Sequence, residues 1–87
     1  PHDAELGRLV ASYLDEVRAF FQRCIASAQA AGEIPRRLDA TETSRHLLGV
    51  LVGLRVLARA RVDRETLEAV ARPALRLLDA PLRAETQ

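Results

Sequence analysis

Residues 47–61 read LLGVLVGLRVLARAR, and how this stretch is covered decides the fold. Its first eight residues carry no charge and hold two glycines four apart, Gly49 and Gly53. A glycine inside a helix costs about 1 kcal/mol relative to alanine, so the repeat needs a reason. A membrane span is excluded by length, because crossing a bilayer takes ~20 apolar residues. On a helical wheel, Leu47, Val50, Leu51, Leu54, Leu57 and Ala58 share one broad apolar arc. Gly49, Gly53, Val56 and Ala60 form an adjacent stripe of mostly small residues, with His46 at its edge. Only Arg45 and Arg59, with Val52 between them, give a clearly polar side. A helix apolar around most of its circumference is normally buried in a larger protein. The missing cover comes either from a second copy or from more of the same polypeptide. Small residues let two helix backbones approach closely, which favours a second copy along the glycine stripe.

Outward from this helix, the punctuation gives an all-α antiparallel bundle of three main helices. Asp39 opens the central helix, with Glu42 at capping-box spacing, and that helix covers 39–61. Before it, the segment 32–38, GEIPRRL, is a connector. Gly32 suits a helix C-terminus, and Pro35 prevents resumption. The first helix covers 3–31, with Asp3 as N-cap and Glu5 in the first turn. Ser12 with Asp15 also has the spacing to cap a second segment, so a break near 11–12 stays open. After the link Val62-Asp63, Asp63 caps a third helix over 64–79. Its apolar face is Leu67, Val70, Ala71, Ala74 and Leu78, while Glu65, Glu68, Arg72 and Arg76 line the other. Pro73 predicts a static bend, and Pro81 is expected to end regular structure, leaving 80–87 as a frayed tail.

The first helix is apolar over an arc of roughly 160°, against the ~100° that packing one side onto a core needs. The arc runs from Leu9 and Phe20 through Leu6, Tyr13, Cys24, Val17, Val10, Ala28, Phe21 and Leu14 to Ile25. Arg8, Asp15, Gln22 and Gln29 lie opposite and read as a solvated face. This helix too expects more than one apolar neighbour.

The 87 residues, read as a single helical domain over 1–87, are 48% hydrophobic but only 3% aromatic. A domain this small buries only about 60% of its unfolded surface, so outside help is expected. The net charge is +1, and all 13 basic residues are arginine. Arg36-Arg37 is the only adjacent basic pair, so the chain lacks the cationic face of a nucleic-acid binder. The single cysteine, Cys24, is read as a small buried hydrophobe in a reducing, cytoplasmic setting, and no signal peptide is visible.

Catalysis needs converging polar groups, and few are offered. Glu42 and His46 are four apart on one face, but two ligands do not make a zinc site. There is no phosphate loop, no paired carboxylates and no H-E-x-x-H motif. The reading is a non-enzyme with no catalytic residue, metal or cofactor. Tyr13, Phe20 and Phe21 are either core packing or the wall of an apolar small-molecule cavity, with the Tyr13 hydroxyl orienting a ligand.

Residues 28–78, AQAAGEIPRRLDATETSRHLLGVLVGLRVLARARVDRETLEAVARPALRLL, resemble the C-terminal part of a TetR-family transcriptional regulator. The matching elements are Gly32-Glu33-Ile34, Asp39, Gly53-Leu54 before Leu57-Ala58-Arg59, and a last helix after Asp63 ending in Leu77-Leu78. The resemblance implies a bacterial repressor whose helical domain binds a small apolar effector and forms a homodimer through a four-helix bundle. Carried onto this chain, it makes Gly49, Gly53, Leu57, Ala60, Leu67, Val70, Ala74 and Leu78 the dimer-interface candidates. It makes Tyr13, Leu14, Val17, Phe20 and Phe21 the effector-binding candidates. Nothing in residues 1–30 resembles a helix-turn-helix, so the sequence is expected to be a piece of a longer regulator that meets DNA only through an N-terminal domain. The competing reading is a stand-alone helical adaptor that docks another protein through an apolar groove.

Overall fold

A computed structural model describes the backbone of residues 2–86 and the side chains of residues 2–79. The chain is all-helical over the described residues: α1 is His2–Ala30, α2 is Ala40–Arg59 and α3 is Arg64–Thr86. The expected fold class is therefore the observed one. Asp3 and Glu5 lie in the first turn of α1, where the helix dipole favours negative charge. No break occurs near 11–12, and α1 runs unbroken past Ser12. An interior serine costs a helix only a few tenths of a kcal/mol, less than ending and recapping it would.

Each connector is built by local chemistry. At the end of α1, the Glu33 N–H donates to the Ala28 carbonyl at 2.8 Å and the Gly32 N–H to the Gln29 carbonyl at 3.1 Å. This is a Schellman motif, and Gly32 supplies the left-handed backbone it needs with φ +77°. Asp39 sits in extended backbone and accepts the Glu42 N–H at 2.8 Å, which starts α2. The end of α2 repeats the first motif, with the Val62 N–H on the Leu57 carbonyl and the Arg61 N–H on that of Ala58. Here the left-handed position is filled by Arg61, φ +58°. Asp63 accepts the Thr66 N–H at 2.9 Å and starts α3.

The third helix is longer than its expected span of 64–79, because the backbone stays helical through Pro73 and Pro81 to Thr86. Each proline removes one donor from the ladder, while the bonds on either side persist and carry the helix on. Residues 80–86 are thus helical rather than a tail, and Gln87 lies outside the described residues.

The helices lie side by side with α2 in the middle. Helix α1 packs on α2 and α2 on α3, while α1 and α3 do not touch among the described residues. Val10, Tyr13 and Leu14 face the Val52–Arg59 end of α2, and Arg18 meets Ser44, so α1 and α2 run antiparallel. The molecule measures 54 × 30 × 14 Å. Since a helix with its side chains is about 10–12 Å across, the domain is one helix thick. Its radius of gyration is 15.5 Å, against about 12 Å for a compact domain of this length.

Burial follows from that shape. Among the described residues, Ile25, Pro35 and Ala74 are the buried apolar residues, joined by Thr43 and Ser44. The joint between α1 and α2 has a polar centre. Arg18, with only 18% of its side chain exposed, donates to Asp15 at 3.0 Å and to the buried Ser44 hydroxyl at 3.1 Å. Ser44 in turn donates to the Thr41 carbonyl at 2.6 Å. Gln22 accepts from Arg18, and Gln29 donates to the carbonyls of Pro35 and Leu38 at 2.9 and 2.7 Å. The face of Gln22 and Gln29, expected to be solvated, is instead half-buried. The Gln29 amide holds the connector, while Gln22 supports Arg18, whose guanidinium reaches Ser44 of α2.

Candidate functional site

Two features present themselves: a groove between α1 and α2, and uncovered faces on all three helices. The groove has a volume of about 640 Å³ and is open to solvent. Helix α1 contributes Val10, Tyr13 and Leu14, and α2 contributes Val52, Arg55, Val56, Ala58 and Arg59. Its size falls in the range of small-molecule sites, and its walls are chiefly apolar, as such sites require.

Of the expected effector-binding residues, Tyr13 and Leu14 line this groove. Val17 and Phe21 are half-buried, and Phe20 is 53% exposed. The Phe20 and Phe21 rings stand 6.2 Å apart, tilted by 53°. These three residues are not part of the groove lining. Sequence reasoning missed the α2 wall. Val52, Arg55, Val56 and Arg59 recur at three- and four-residue steps and so share a face, but the helical wheel puts Val52 and Arg59 on the polar side and Val56 in the small-residue stripe.

The outward face of α1 is a second apolar stripe. Leu6, Leu9 and Phe20 are all more than half exposed, and Cys24 lies exposed on the same stripe. The expectation that Cys24 is buried is thus corrected: the wide arc of α1 faces α2 with its Leu14–Ile25 edge and turns Cys24 outward.

The expected dimer residues are distributed unevenly. Gly49 and Ala60 are exposed, and Gly53, Leu57, Leu67, Val70 and Leu78 are half-buried. Ala74 is only 4% exposed, covered where α3 packs on α2. A Cβ placed on Gly49 or Gly53 meets nothing within 4 Å. Packing inside one chain therefore gives neither glycine a reason to be glycine.

Polar chemistry does not converge here. Glu42 and His46 are both exposed, and among the described residues no group of three His, Cys, Asp or Glu is placed to hold a metal. Asp63 has its carboxyl held below the usual range, by the Thr66 side-chain hydrogen bond first and the Thr66 N–H second. That is a helix cap rather than a reactive group. No helix among the described residues is long and apolar enough to cross a membrane.

Comparison with known proteins identifies a family. The family model described as tetracyclin repressor-like, C-terminal domain, aligns with residues 2–74. Curated proteins and solved structures give no match. With α1, α2 and about the first half of α3 inside the aligned region, the chain belongs to the C-terminal domains of TetR-family regulators.

Proposed function

We propose that this domain dimerises and senses a small, largely apolar effector for a bacterial, cytoplasmic TetR-like repressor, and that it is not an enzyme. The observation that carries the reading is the one-helix-thick architecture. A compact monomer of 9.6 kDa would expose about 5,100 Å², whereas this chain exposes 6613 Å². The excess is about 1,500 Å², more than the ~800 Å² that each partner contributes to a standard interface.

The seam proposed for the homodimer follows the α2 stripe at Gly49, Gly53, Leu57 and Ala60 and continues onto Leu67, Val70 and Leu78 of α3. Two such helix pairs related by a two-fold axis make a four-helix bundle. Ala74, already covered, supports α3 from below rather than meeting the partner. The effector occupies the α1–α2 groove against Tyr13 and Leu14; Val17, Phe20 and Phe21 lie on the same helix outside the groove lining. DNA is reached through an N-terminal helix-turn-helix domain of the intact regulator. Effector binding there changes the spacing of two reading heads that must sit about 34 Å apart to reach successive major grooves.

Sedimentation equilibrium tests the reading. A species of twice 9.6 kDa at micromolar concentration is expected. A strict monomer would instead favour the adaptor reading, in which the exposed α1 stripe of Leu6, Leu9 and Phe20 awaits a different protein.

A further inference from the structure

We propose that the α1–α2 groove takes an amphipathic anion: a carboxylate carried on a medium-length alkyl or aryl body. The inference rests on the reading of this groove as the effector site and adds the ligand's charge. Val10, Leu14, Val52 and Val56 supply apolar walls, and no acidic residue lines the groove. Two arginines do line it, Arg55 and Arg59. Neither has an ion-pair partner among the described residues, whereas Arg18, Arg64 and Arg72 each hold a carboxylate within 3.0 Å. Like charges four apart on one helix repel, a cost that no carboxylate among the described residues relieves. The helix dipole accounts for a cation in the last turn, where Arg59 sits. It does not account for Arg55, a full turn earlier and beside the same apolar walls.

An anion lying between the two guanidiniums relieves that repulsion and makes charge-assisted hydrogen bonds, while its apolar body lies along the valines. Tyr13, which makes no hydrogen bond among the described residues, supplies a further hydroxyl at the groove. A carboxylate headgroup on an apolar body matches this pattern. A neutral apolar ligand would leave both cations unanswered, and a bare anion such as inorganic phosphate would have no use for the apolar walls.

The test is a titration of the 87-residue chain with octanoate and, separately, with 1-octanol, followed through the backbone amide and methyl signals of residues lining the groove. Octanoate is expected to shift the signals of Val10, Val52 and Val56 and to bind about tenfold more tightly than octanol. The double variant Arg55→Gln/Arg59→Gln is expected to keep its helical circular dichroism and bind both ligands at the level of octanol. Equal binding of the two ligands to the unmodified chain overturns the charge assignment and leaves the effector site standing. Groove signals that stay unmoved by either ligand overturn the effector site together with it.

Discussion

Arg61 carries the clearest local strain. Its left-handed backbone, φ +58°, closes the same motif at the end of α2 that Gly32 closes at the end of α1. A residue with a Cβ pays about 1 kcal/mol or more for that conformation, and glycine does not. Arg61→Gly is therefore expected to raise stability by about 0.5–1 kcal/mol, read as a melting temperature several degrees higher. An unchanged or lower melting temperature would count against the strain. Asp63 makes a second point at this scale. Its folded pKa is lowered by Thr66, so the cap contributes fully above the ordinary carboxylate pKa and is lost as pH falls through the folded value. Thermal melts across the acidic range should show the native chain losing more stability than Asp63→Asn, whose amide caps without titrating. The caps Asp39, Asp63 and Gly32 were legible because their chemistry spans only a few residues. Arg61 was not, since nothing in its side chain announces a left-handed backbone.

For the helices, existence and order could be read from periodicity, but their rotation could not. An apolar arc as wide as that of α1 is satisfied by several orientations against α2. The one adopted puts Leu14, Arg18, Ile25 and Gln29 inward and leaves Leu6, Phe20 and Cys24 outside. That choice turned an expected solvated face into the polar joint of the fold, and it brought Val52 and Val56 of α2 alongside Tyr13 to make the groove. The end of α3 was misplaced for another reason, because Pro81 reads as a stop and the helix continues through it. Gln29 tests the joint. Its amide satisfies the carbonyls of Pro35 and Leu38 beside a fully buried proline ring. Gln29→Ala strands both carbonyls and is expected to cost about 1–3 kcal/mol. Urea unfolding should show a lower midpoint with an unchanged slope; a midpoint equal to that of the native chain would mean water replaces the amide without loss.

At the scale of the whole molecule, one layer of helices explains the features that one chain leaves without purpose. The outward stripe of α1, the half-covered leucines of α2 and α3, and two glycines facing open space are all left uncovered by the chain itself. The apolar circumference of residues 47–61 already required cover beyond three helices, so this need was legible in the sequence. Which face is covered by what was not, because a wheel shows faces and not neighbours. The glycines offer the most direct test of a second copy along α2. Each has room for a side chain within its own chain, so Gly53→Leu should leave the monomer fold intact. On helix propensity alone, it should even strengthen α2, by about 0.5–1 kcal/mol. Across a close two-fold seam the same side chain would appear twice and force the backbones apart. Sedimentation equilibrium of the native and Gly53→Leu chains, matched by circular dichroism, is the deciding measurement. The account predicts a native dimer, and a variant shifted to the 9.6 kDa monomer with its helix content preserved. A native chain that stays monomeric, or a Gly53→Leu dimer as tight as the native one, would contradict it.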